Sequence, residues 1–310
     1  MLNYQLAGGA YTDSKSLIDL KQLASSFNLF SRHKVNNHLS GEKITNARGR
    51  GLSFAEVRRY QPGDDVRMID WRVTARTGKT HTKLFHQESS QPFLLIIDQN
   101  MPMFFGSQHV FKSVLAAQIA SILAWQIIKA HNGVAALVAT PDNNPYYLPI
   151  GYKQKTVLEM ISSLDRLNHS LNNARINEGH SLLATLKQAV SYRLSGYSII
   201  VVSDFNTPQK IDKYLYSLQQ HNSLFGIMLF DRLEQHLPSY GMYTANDGRQ
   251  DYLLNTQDKQ LAKDLYSSFT KRVEDIKSLF VNAHQFISLE TKQYGIDSLN
   301  AAFTSSMNSS

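Results

Sequence analysis

The chain is 310 residues long, 42% apolar and 18% charged, with a formal net charge of +7; these are the proportions of a globular protein with a sizeable core, not of a disordered chain. It contains no cysteine, which excludes disulfides, thiolate zinc sites, iron–sulfur clusters and cysteine nucleophiles together. The positive excess is moderate and permits a basic patch without requiring one.

The opening stretch, MLNYQLAGGAYTDSKS, has no basic run followed by an apolar one. No secretory signal is expected, and the chain reads as soluble and cytoplasmic. Residues 14–30 place Leu17, Leu20, Leu23, Phe27 and Phe30 at helical spacing, which predicts an amphipathic helix within an N-terminal segment, 1–33. From 34 to 91 the texture changes: turn signals (RGRG, PGDD, RTGK) separate short extended pieces such as KLFHQ at 83–87. This predicts a small β-rich lobe.

From 92 to 290 the rhythm is regular. FLLIID reads as a strand, 107–131 as a helix and 133–140 as a strand, with an antiparallel edge strand at 145–150. Helices are expected at 153–167, 181–194, 208–221 and 257–281. Strands are expected at 197–205, 224–230 and 285–289, and a hairpin within 236–255. The tail, 291–310, is small and polar and should fray. Strands alternating with helices predict an α/β fold with a doubly wound, mostly parallel sheet. The apolar stretch 111–130 is interrupted by Lys112, Gln118, Gln126 and Lys129, which marks a buried helix rather than a membrane span.

Two of the most apolar strands end in acids, Asp98 and Asp204. In doubly wound sheets ligands sit beyond the carboxyl ends of the strands, where the strand order reverses. Carboxylates converging there repel unless a proton, a basic side chain or a hard cation such as Mg2+ intervenes. Each Asp alone is as well explained by capping the helix that follows.

At this point the chain resembles a known family. A strand ending D-x-S-x-S, a later Thr loop and a second strand ending in Asp make up the metal-ion-dependent adhesion site of von Willebrand factor A domains. The stretch RGRGLSFAEVRRYQPGDDVRMIDWRVTARTGKTHTKLFHQE (48–88), with IVVSDF (200–205) and FDRLEQHLPSYG (230–241), resembles the family called domain of unknown function 58. The resemblance runs from about 40 to 255. It implies a von Willebrand A-like fold, a MoxR-type AAA+ ATPase as partner, client proteins, and ATP hydrolysis supplied by that partner.

The site departs from the pattern. Where two hydroxyl ligands are expected, at +2 and +4 from Asp98, stand Asn100 and Pro102. The Thr loop corresponds to EGHSLL (178–183), with His180 or Ser181 in place of Thr. Proline offers no side-chain ligand, and histidine suits Mg2+ poorly. The implied metal set is Asp98, Asn100, Ser181 and Asp204, binding Mg2+ weakly or not at all. The same rim, as Asp98, Asn100, Pro102, His180 and Asp204, would serve as a metal-free docking surface, with His180 supplying a cation at low pH.

The signature itself is dense in charge. Arg58, Arg59, Asp64, Asp65, Arg67, Asp70, Arg72 and Arg76 predict an ion-pair network, with Tyr60 and Trp71 as interface anchors. A nucleic-acid face over 48–76, using Tyr60, Trp71 and Phe85, is the alternative; Glu56, Asp64, Asp65 and Asp70 oppose it. RTGKT lacks the upstream glycine of a phosphate loop, and neither G-x-S-x-G nor H-E-x-x-H occurs. The sequence therefore predicts a non-enzymatic adaptor with no firm cofactor and no membrane span. A Mg2+- or Mn2+-dependent hydrolase using Asp98 and Asp204 is the second reading.

Overall fold

A computed structural model describes residues 6–24, 52–87, 90–171, 181–207, 210–238, 241–246, 251–282, 285–295 and 298–301. The chain divides into two compact units, residues 30–90 and residues 1–29 with 91–310.

The larger unit is a mixed α/β fold with a mostly parallel six-stranded sheet. Its strands are β3 (Pro92–Asp98), β4 (Gly133–Ala139), β5 (Tyr146–Gly151), β6 (Ser198–Ser203), β7 (Ser223–Phe230) and β10 (Phe286–Glu290). They lie in the order β10-β7-β6-β3-β4-β5. All pairs are parallel except β4 with β5, which is antiparallel and leaves β5 as the edge strand. The chain starts at β3 and builds outward both ways, so the strand order reverses between β3 and β6. The long apolar runs reflect this placement: Phe93 to Asp98 and all of β4 and β6 are buried, because strands covered on both faces need no alternating pattern.

Helix α3 (Lys112–Lys129) covers one face and is buried from Lys112 to Ile127. Its outer side is in turn covered by α1 (Ser14–Ala24) and α4 (Gln154–Ser170). That second layer explains why α3 is apolar nearly all round. On the opposite face, α5 (Ser181–Ser191), α6 (Asp212–Gln219) and α8 (Lys259–Lys277) contribute Leu186, Leu215, Phe269 and Ile276 to a core with Leu94, Ile96, Ile199 and Val201. Gly226 in β7 lies directly beneath the Phe280 ring, where any Cβ would collide. The N-terminal segment belongs to this unit: Leu6 donates to the Tyr294 carbonyl, and Gly9 bonds with His109 and Phe111. Helix α1 is shorter than predicted among the described residues, and Phe27 and Phe30 lie outside them. The predicted hairpin is β8 (Met242–Asn246) with β9 (Asp251–Asn255).

The smaller unit pairs β1 (Leu52–Arg59) with β2 (His81–Gln87) in antiparallel register. Between them, where the turn signals predict only loops, lies a helix, α2 (Trp71–Thr77). Asp70 caps it by accepting from the Arg72 and Val73 N–H groups, and Gly78 ends it in a left-handed conformation, φ 67°. Both signals are present in DWRVTARTG.

Candidate functional site

Asp98 closes β3 and Asp204 follows β6, so the two carboxylates meet where the strand order reverses. Both are almost wholly buried. Asp98 Oδ2 accepts from the Ser203 hydroxyl at 2.6 Å, whereas its Oδ1 and the Oδ1 of Asn100 are buried with no well-aligned donor among the described residues. Both Asp204 oxygens are engaged: Oδ1 accepts from the Asn206 N–H at 2.9 Å and Oδ2 from Lys112 Nζ at 2.7 Å.

Lys112 is the centre of this arrangement. It stands at the first turn of α3 with a side chain 3% exposed, and its ammonium also reaches Glu234 Oε1 at 2.9 Å. Arg272 from α8 donates to Glu234 Oε2 at 2.6 Å. Glu234 lies in a one-turn helix, α7 (Arg232–Gln235), whose N-cap Asp231 forms a reciprocal capping box with it. Asp231 in turn accepts from the Ser107 hydroxyl at 2.6 Å and N–H at 2.8 Å, and from the Thr291 hydroxyl at 2.5 Å. One network thus joins the ends of three strands to α3, α7 and α8.

The electrostatics follow from the pairing. Burial, reinforced by the neighbouring Asp204 charge, pushes the Asp98 carboxyl up to about 7. Burial by itself would lower Lys112, but the charges and hydrogen bonds of Asp204 and Glu234 outweigh it and hold the ammonium above its ordinary value. Burial likewise opposes ionisation of Glu234, yet Lys112 and Arg272 keep it below the usual carboxylate range. Asp231 is held low by its hydroxyl and amide donors against the same opposition.

Among the described residues the rim does not assemble a divalent-ion site. Asp98 and Asn100 each keep an oxygen free, but Pro102 gives none, and Lys112 already takes the Asp204 oxygen that a cation would use. A site for Mg2+ wants about six oxygen ligands in near-octahedral array, and among the described residues no three acidic or histidine side chains are arranged to hold a metal. His180 and the Ser181 side chain lie outside the described residues; Ser181 is seen as the first residue of α5. Beside the network, an open groove of about 460 Å³ is lined by Met101, Pro102, Phe104, Phe105, Leu265 and the polar side chains of Lys112, Glu234 and Arg272 among others.

The sequence placed Asp98, Asn100, Pro102 and Asp204 at one rim, and the fold brings them there. It missed Lys112, which read merely as a polar interruption in an apolar helix, and Ser203, Asp231, Glu234 and Arg272 with it. The D-x-x-E spacing of Asp231 and Glu234 was the one local signal available.

The charge network expected in the signature is sparser than predicted. Among the described residues Arg58 pairs with Asp64 at 2.6 Å and Lys83 with Asp70 at 3.6 Å. Asp65 and Asp70 serve chiefly as caps, accepting from backbone N–H groups, and Arg59, Arg67, Arg72 and Arg76 are exposed with no ion pair among the described residues. Trp71 is 70% exposed. The physical reason is local: acids just before short helices find backbone donors sooner than they find long, flexible guanidiniums.

Fold and rim define an α/β protein whose parallel sheet ends in a buried lysine–carboxylate cluster. The family described as "Protein of unknown function DUF58" matches residues 56–275, and the chain belongs to that family. It is 26% identical over 238 residues to "Uncharacterized protein Rv1480" of Mycobacterium tuberculosis, covering 74% of this chain and 72% of that one, and equally to "Uncharacterized protein Mb1516" of Mycobacterium bovis. Among solved structures, "conserved hypothetical protein BatB" from Bacteroides thetaiotaomicron aligns with 71% of this chain and 98% of its own at 10% identity, TM-score 0.41. An "aerotolerance-related membrane protein" from Bacteroides fragilis aligns with 71% and 100% at 11% identity, TM-score 0.40. Among the described residues no helix is long and apolar enough to cross a membrane.

Proposed function

We propose that the protein is a non-enzymatic protein–protein interaction module, a cytoplasmic adaptor for a MoxR-type AAA+ ATPase and its clients, built on a von Willebrand A-like domain. The observation that carries this reading is Lys112. A tethered ammonium, 2.7 Å from Asp204 and 2.9 Å from Glu234, neutralises the acids that a metal-dependent catalyst would need free. What lies open beside it is a groove with Met101, Pro102, Phe104 and Phe105 on its wall, chemistry suited to a protein side chain. The von Willebrand A-like reading is supported by the reversal of strand order between β3 and β6, with Asp98 and Asp204 at that point. The ATPase partner rests on the signature at 48–88, and ATP hydrolysis is the partner's.

The test is co-elution of the full chain with a purified MoxR-type ATPase from the same organism, with and without ATP. Binding that Phe105→Ala weakens while the fold persists is the expected result; binding indifferent to the groove, or none, overturns the reading.

The hydrolase reading retains one favourable observation, the two donor-free oxygens on Asp98 and Asn100. Calorimetric titration of Mg2+ and Mn2+ into chelator-stripped protein decides it, with Asp98→Ala as control. Sub-millimolar binding lost in the variant, together with metal-stimulated phosphoester turnover, would establish the hydrolase in place of the adaptor.

A further inference from the structure

The smaller unit carries a surface that the rim does not explain. In residues 52–87, seven Lys and Arg face four Asp and Glu. Two of those acids, Asp64 and Asp70, are engaged by Arg58 and Lys83, and Asp65 caps the short helical turn Val66–Met68. Arg59, Arg67, Arg72, Arg76 and Lys79 therefore remain exposed, with no ion pair among the described residues. In the same stretch the apolar side chains Trp71 and Val66 are exposed, 70% and 61%.

Helix α2 arranges part of this set. Its inner side is pinned: the Thr74 hydroxyl accepts from the His81 N–H at 3.0 Å, and Val73 is half-buried. At about 100° per residue, Trp71, Ala75, Arg72 and Arg76 then occupy one outward arc, and all four are exposed. Arg72 and Arg76 are one turn apart, about 6 Å along the axis, with Trp71 flanking them. A large exposed aromatic with unpaired guanidiniums is the composition of an interface core rather than of ordinary surface.

We propose that the outer face of α2, with Trp71, Arg72 and Arg76 and the adjoining Val66 and Arg67, docks a short acidic segment of a partner protein that also carries an apolar side chain. Carboxylates one turn apart on the segment meet the Arg72 and Arg76 forks, which bind carboxylates in two-pronged fashion. The apolar residue covers Trp71 and Val66. Charge and shape favour a peptide over a nucleic acid. A phosphate backbone is a continuous polyanion and would meet Asp70 at the start of α2, with Asp64 and Asp65 a few residues before it, whereas a short segment places its charges at the arginines alone. Val66 offers nothing for a base to stack on. The proposal does not depend on the rim or on which ATPase, if any, is the partner.

The full chain can be tested by its own fluorescence, since it has two tryptophans and Trp125 is 4% exposed. The probes are a random glutamate–tyrosine copolymer, polyglutamate and an oligothymidylate, titrated at near-physiological salt. The expected result is quenching by the glutamate–tyrosine copolymer, about tenfold tighter than by polyglutamate, lost about tenfold in Arg72→Ala/Arg76→Ala. The control is Lys259→Ala/Lys263→Ala, an exposed pair on α8 with the same spacing and the same loss of charge; it should bind as the parent does. Equal loss in both double variants would reduce the effect to net charge and overturn the proposal. Tighter binding of the oligothymidylate would overturn it in favour of a nucleic acid, and no binding of either acidic polymer would remove the site.

Discussion

The rim of the sheet and the outer face of α2 are both rich in charge, yet they use it in opposite ways. At the rim, Lys112 is buried and shared between two carboxylates, and Glu234 is shared between two cations. On α2, Arg72 and Arg76 stand in water with no acid paired to them among the described residues. Charge that is buried must be matched on the spot, because an unmatched ion in a low-dielectric interior costs several kcal/mol. Charge left in solvent costs little and is available to something else. Charge density alone therefore says nothing about role; burial decides it.

The comparison breaks most sharply at Lys112. Lys112→Met leaves Asp204 and Glu234 facing a hydrocarbon chain, and unfolding experiments in urea should show a loss of about 3–5 kcal/mol. A loss below about 1 kcal/mol would mean that the cluster is hydrated and the contrast false. Next comes Asp231→Ala, which strands the Ser107 and Thr291 hydroxyls and uncaps α7; about 2–4 kcal/mol is expected from the same measurement.

Asp98 sharpens the contrast through pH. Its folded value of about 7 lies above the ordinary 3.8, so between these values the folded state holds a proton that the unfolded state has released. Stability from this group is then greatest at low pH and declines as pH rises toward 7, flattening beyond it. Asp98→Asn lacks that decline. The variant should gain on the parent from about pH 4 to 7 and keep a constant margin above about 8, read from urea midpoints. Glu234 works in the opposite direction: its depressed value contributes stability above the ordinary glutamate range that is lost on further acidification.

The smallest effects belong to the α2 unit. Arg58→Ala removes a partly exposed pair with Asp64 and should cost about 0.5–1 kcal/mol. Trp71→Ala should move stability by no more than about 0.5 kcal/mol while abolishing the quenching signal described above.

Much of the fold was readable in the sequence because its strands are unbroken apolar runs. FLLIID and SIIVVS lead into acids, and parallel strands deliver both ends to one rim, so the meeting of Asp98 with Asp204 was expected on condition that the two strands are neighbours, which they are. Lys112 was unreadable for the converse reason. A lone lysine at the start of a helix is normally solvated, and its burial is fixed by partners 92 and 122 residues away, a separation no local pattern encodes. Trp71 was legible only in part: a large aromatic in a charged stretch stood out, but the helix that Asp70 and Gly78 delimit, on which its side chain is exposed, did not. The site was half legible, in its acids and not in the base that answers them.

The reversal of strand order has a further consequence, in time rather than space. Strand β3 lies at the heart of the sheet, yet its neighbour β6 follows it by 105 residues, the separation between Asp98 and Ser203. At a ribosomal rate of about 5–20 residues per second, one edge of β3 waits about 5–20 s for its partner. During that interval β4, β5 and α3 are already made, and the half-sheet they form presents FLLIID with an open ladder of N–H and C=O groups. The nascent chain thus passes through a stage at which a strongly apolar strand has an open, adhesive edge, and shielding of that edge during synthesis becomes a need of this topology.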